Sequence, residues 1–177
     1  RIVTTHDPLQ PDYVTISQFE KEMRWVSTYC TALPLLDAVK LLGINKLPLG
    51  AVAITFDDGY ADNYLDALPV LQSLKLPATF FVTVDYLKNT PKWDVFVESI
   101  RYTSESNVYL NQLDYSLNTV ADKAYFFQQA VEYFKTLTDE ELQLKLEAVI
   151  GLLGASSPTG LMMDDAPSRP ITASNFN

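Results

Sequence analysis

The chain has 177 residues, 47% of them hydrophobic, which is ample for one packed domain. No run approaches the roughly 20 apolar residues of a membrane span. The single Cys30 excludes both an internal disulfide framework and a thiolate zinc cluster. A net charge of −9, with scattered basic residues, argues against a nucleic-acid surface and suits a neutral or cationic substrate better. The chain opens on Arg1 without a methionine, so its start reads as a processing or cloning boundary.

Residues 1–14 are rich in Thr, Asp and Pro and read as an irregular lead-in. Ser17 and Glu20 have the spacing of a capping box, which predicts a helix to about Tyr29 with Phe19, Met23 and Val26 on one face. A short helix is expected over residues 36–42, ended by Gly43, followed by a loop over residues 47–50. Residues 51–56 form a near-continuous apolar run of strand length, the pattern of a strand buried on both faces of a parallel sheet. Residues 62–74 read as helical, with Pro69 either kinking the helix or starting a second segment. Residues 79–84 read as another buried strand. Strand, helix and strand in that order predict a βαβ unit with a right-handed crossover.

A helix is expected over residues 94–101. Residues 108–117 alternate apolar and polar side chains, which predicts a hairpin turning at Asn111-Gln112. Two amphipathic helices follow, over residues 121–136 and from Thr138 to about residue 150, the second opened by a Thr138–Glu141 capping box. Phe126, Phe127, Val131 and Phe134 fall at helical spacing and are assigned to the core. Asp139, Glu140 and Glu141 suit the positive end of a helix dipole, and Cys30 is expected to be buried and inert. The organisation expected is one domain: a helical lead-in (1–50), a first βαβ unit (51–92), a mainly helical insertion (93–154) and a loop (155–177).

The chemistry gathers where the first strand stops, in "AITFDDGYADN". Adjacent carboxylates repel, so Asp57 and Asp58 are either a solvated strand end or wait for something positive. In parallel α/β folds, functional groups collect at the carboxyl ends of strands. Neighbouring side chains alternate in direction, so one carboxylate can face a metal while the other faces substrate or water. Gly59 permits a tight turn beside them. Other candidates have plainer explanations. His6 reads as a surface loop residue, Asp164-Asp165 as loop acids, and Trp93 with Asp94 as a helix start packing on the core rather than a sugar-stacking wall.

"ITFDDGY", followed after one helix by "LPATFFVT", resembles the first motif and second strand of the polysaccharide deacetylases, the carbohydrate esterases built on the chitooligosaccharide-deacetylase homology domain. The likeness extends more loosely from about Val14 to Leu87 and through "KWDVFVESIR". It implies an α/β fold, part of a distorted (β/α) TIM-like barrel, here carrying a helical insertion and stopping before the later strands. It further implies hydrolysis of N-acetyl or O-acetyl groups on a polysaccharide or oligosaccharide with a divalent metal, zinc being the expectation. By that resemblance Asp57 is the catalytic base and Asp58 a metal ligand. Thr55, Phe56, Gly59 and Tyr60 set the loop. A bacterial cell envelope or secreted location is favoured over the cytoplasm.

The chain departs from the family pattern after these motifs. The H-x-x-x-H pair, the Arg-x-Pro-aromatic segment and the Leu-x-x-His segment are missing, and His6 is the only histidine. Such barrels need about 200 residues or more. The expectation is therefore an N-terminal portion, inactive alone because one aspartate cannot hold zinc. The alternatives are a non-catalytic carbohydrate-binding relative of the same fold and a receiver-type phosphoacceptor domain. The latter would use Asp85 and lacks a later strand-end lysine.

Overall fold

A computed structural model describes residues 1–83 and 92–154. The described residues fall into two compact units, one made of residues 1–6 and 12–83, the other of residues 7–11 and 92–154. The predicted elements at 155–177, the Asp164-Asp165 pair and Asp85 lie outside the described residues.

The first unit begins with β1 (Ile2–Val3), which pairs in parallel with β2 (Val14–Thr15). Helix α1 (Ile16–Tyr29) follows directly, because extended Thr15 doubles as its N-cap and accepts a hydrogen bond from the Gln18 amide at 3.2 Å. The expected Ser17–Glu20 capping box is therefore corrected. The helix starts earlier, and Glu20 instead pairs with Arg24 one turn on. After β3 (Thr31–Ala32) comes α2 (Leu35–Gly43). Gly43 remains helical, and the left-handed residue that ends the helix is Asn45, φ 53°, with the Lys46 and Asn45 amides donating back to Leu41 and Leu42 carbonyls.

The apolar run at residues 51–56 is two strands rather than one. β4 (Ala51–Val52) pairs with β3, whereas β5 (Ile54–Phe56) pairs with β6 (Ala78–Phe80), and Ala53 is the break between them. Full burial on both faces is also corrected, since Thr55 is exposed and Ile54 and Phe56 only partly buried. Between β5 and β6 lie a π-helical turn (Asn63–Ala67) and α3 (Leu68–Ser73), which carries Pro69 in its first turn, so the proline starts a second segment. β5 and β6 are parallel, as a βαβ unit requires. Their side chains pack with α1 and α3 in a small core of Ile2, Phe19, Ala67 and Leu71, joined by Phe56 and Phe80. Cys30 is half-buried rather than buried, and free.

The second unit carries α4 (Lys92–Tyr102), a hairpin of β7 (Asn107–Leu110) and β8 (Leu113–Ser116), α5 (Val120–Phe134) and α6 (Asp139–Leu152). Asn111 and Gln112 are both left-handed, φ 49° and 64°, which matches the twist of a two-residue hairpin loop. Phe96, Phe126 and Phe134 are fully buried, and the Phe96 ring meets Trp93, Phe126 and Phe134 edge-on at 5.6–6.2 Å. Trp93 therefore packs on the core. Two capping boxes open the last helices, Thr119–Asp122 and Thr138–Glu141, of which the first carries no Glu or Gln at its fourth position.

The described residues thus form a mixed α/β structure of six α-helices and four separate two-stranded sheets. No closed barrel forms among them. No described helix is long and apolar enough to cross a membrane.

Candidate active site

The site grows from Phe56. Its ring stacks on Phe80 at 4.9 Å and meets Phe19 edge-on at 6.0 Å, so β5 is pinned through its last residue. Strand alternation then turns Asp57 to the opposite side, where it is exposed. The chain reverses at once. The Gly59 amide donates to the Asp57 carbonyl at 2.9 Å, closing a three-residue turn around Asp58, φ +70°. Positive central φ is the rare and strained form of such a turn. The turn leaves Asp58 half-buried next to an exposed Asp57.

Gly59 follows at φ +75° and is buried. A Cβ there would lie 2.8 Å from Val82 Cγ1, so glycine is required both for its backbone and for the close approach of the β6 side. From that side, the Thr83 amide donates to the Asp58 carbonyl at 3.3 Å, and the Thr83 hydroxyl donates to Asp58 Oδ1 at 3.4 Å. On the other flank the buried Asn63 side chain donates to the Asp57 carbonyl at 3.4 Å. Asn63 begins the π-helical turn, whose widened ladder runs from the Leu68 amide to the Asn63 carbonyl. Such turns occur often at functional sites.

Beneath the turn lies a charge that motif reading missed. Asp62 is 1% exposed and accepts from the Ile2 amide at 2.6 Å and from Arg1 Nε at 3.2 Å. The Arg1 guanidinium lies 3.8 Å from the Tyr60 ring centre and 5.5 Å from that of Tyr13. Tyr60 therefore belongs to a half-buried cation-aromatic stack, which ties the motif to the start of β1. Burial, and then the Asp62 charge, push the Asp66 carboxyl above its ordinary value. Asp62 and Asn63 sit in "YADN", where helical periodicity alone counts them as the start of a helix. Thr83 falls inside the strand expected over residues 79–84, but β6 already ends at Phe80, and nothing else in the sequence marks the residue.

A metal needs more donors than this turn gathers. Among the described residues, no three His, Cys, Asp or Glu side chains come together around one point. Protein zinc sites use about three or four ligands. His6 is exposed in its loop, as expected. The pair Asp57 and Asp58 by itself does not fit a zinc ion.

Comparison with known proteins bears on the same stretch. The chain is 42% identical over 67 residues to a Bacillus subtilis (strain 168) protein named "Putative polysaccharide deacetylase YxkH". That alignment covers 37% of this chain and 24% of the relative, so the chain spans about a quarter of the relative's length. No solved structure matches it. The family model for polysaccharide deacetylase matches residues 45–145, from just after α2 through the acidic turn and into α6. Since that match takes in more than half of the 177 residues, the chain belongs to the polysaccharide deacetylase family.

Proposed function

We propose that the protein containing this chain is a polysaccharide deacetylase that hydrolyses N-acetyl or O-acetyl groups from a glycan, with Asp57 as general base. The observation that carries this reading is the turn itself. An exposed carboxylate at the exit of β5 stands beside a second carboxylate held in a strained, hydrogen-bonded backbone. Asp57 is open to water and to a large substrate. Its carboxylate takes a proton as a water molecule attacks the acyl carbonyl, forming a tetrahedral oxyanion. The same proton can then be passed to the departing amine or alcohol.

Asp58 is the ligand this stretch would offer to a divalent metal, zinc by family expectation, with the other ligands supplied elsewhere in the whole protein. On this reading the present chain alone is inactive. The substrate is a polysaccharide or oligosaccharide, which places the work at the cell envelope or outside the cell. Acetate release from N-acetylglucosamine oligomers by the whole protein tests the proposal. Saturable release supports it. Binding of the oligomers without any release would make the protein a non-catalytic carbohydrate binder and overturn it.

A further inference from the structure

We infer that Thr83 is a positioning residue that locks the Asp58 carboxylate in a single orientation, an inference that rests on the deacetylase reading only for its effect on rate. Two contacts from one residue carry it. The Thr83 amide holds the Asp58 carbonyl at 3.3 Å, and its hydroxyl holds Asp58 Oδ1 at 3.4 Å. Main chain and side chain of the same aspartate are thus fixed together.

The backbone explains why a lock is needed. Asp58 is the centre of a turn with φ +70°, a conformation that costs a non-glycine residue of order 1–3 kcal/mol and persists only when its surroundings impose it. The surroundings here are the end of the β5–β6 pairing. The Phe81 amide donates to the Phe56 carbonyl at 2.8 Å, and the next amide in the same alternation, that of Thr83, reaches Asp58. The parallel ladder is therefore carried past the end of β5 and into the turn. Valine at position 83 would keep that ladder bond but remove the only part of the residue that reaches the carboxylate. A hydroxyl on Oδ1 also makes the two carboxylate oxygens inequivalent, and Oδ2 is the one that Thr83 does not engage.

The test uses the whole protein with three side chains at position 83. Proton and carbon couplings report the Asp58 χ1 rotamer, and acetate release gives kcat and KM separately. Thr83→Val should average the Asp58 couplings over rotamers and lower kcat by about tenfold, the loss of one hydrogen bond to a charged group, with KM unchanged. Thr83→Ser should restore both, because it returns the hydroxyl. A single Asp58 rotamer in Thr83→Val, or a serine variant that behaves like valine, overturns the inference. If the wild-type protein releases no acetate, the deacetylase reading fails, and the couplings alone still decide the role of Thr83.

Discussion

Gly59→Ala is the perturbation whose cost can be worked most directly from the structure. Residue 59 sits at φ +75°, and an L-residue there costs roughly 1–2 kcal/mol relative to glycine. The added Cβ would approach Val82 Cγ1 to 2.8 Å, Cγ2 to 3.2 Å and Cβ to 3.3 Å. Valine has one torsion, and rotating it cannot remove the contact with its own Cβ. Crowding of this kind adds about 1–3 kcal/mol. Val82 is 39% exposed, which lets it yield partly and favours the lower part of that range. Gly59→Ala should therefore lose about 2–4 kcal/mol in urea unfolding followed by circular dichroism. Adding Val82→Ala should recover the crowding caused by the two Cγ atoms and leave the Cβ contact and the backbone part. A loss below about 0.5 kcal/mol, or strict additivity of the two substitutions, would refute the reasoning.

Asp62→Ala removes the buried acceptor shared by Arg1 and the Ile2 amide and should cost about 3–5 kcal/mol, read as a lower unfolding midpoint. Thr138→Ala opens the capping box of α6 and should cost about 1 kcal/mol. Hydrogen bonds from the Thr138 amide and hydroxyl hold the Glu141 carboxyl below its ordinary 4.5, and those of Ser116 and Thr119 hold Asp122 below 3.8. The stability these groups confer is complete above those values and is lost as pH falls through the lowered ones, so Thr138→Ala should flatten the acid side of a stability-pH curve. Asp66 has the opposite sign. Its carboxyl is raised above 3.8 by burial and by Asp62, so it favours the fold at low pH and opposes it once ionised. Asp66→Asn should raise the melting temperature at neutral pH and leave it unchanged well below pH 3.8. An equal rise at both would contradict the assignment.

The acidic turn was legible because its logic is local. A glycine directly after an apolar strand and two acids announces the reversal. The Thr138 cap and the phenylalanines of α5 were legible for the same reason, since each depends on spacings of three or four residues. What escaped the sequence depends on distant partners. The break at Ala53 arises because β4 and β5 take different neighbours, β3 and β6, which an unbroken apolar run does not disclose. Asp62 looks like an ordinary helix-start acid until Arg1, far away in sequence, arrives beside it. Thr15 outcompeted Ser17 as a cap because β2 already holds it extended. Thr83 has meaning only through the register that sets it against Asp58.

Replacing Asp57 by asparagine and measuring acetate release from N-acetylglucosamine oligomers by the whole protein tests the assignment of roles most directly. Asp57 is exposed, and its carbonyl rather than its carboxylate anchors the turn, so the fold should survive the change. A fall in kcat of about 10²–10⁴-fold, with the oligomers still bound, is the outcome the general-base role requires. Undiminished turnover would mean that the proton goes elsewhere.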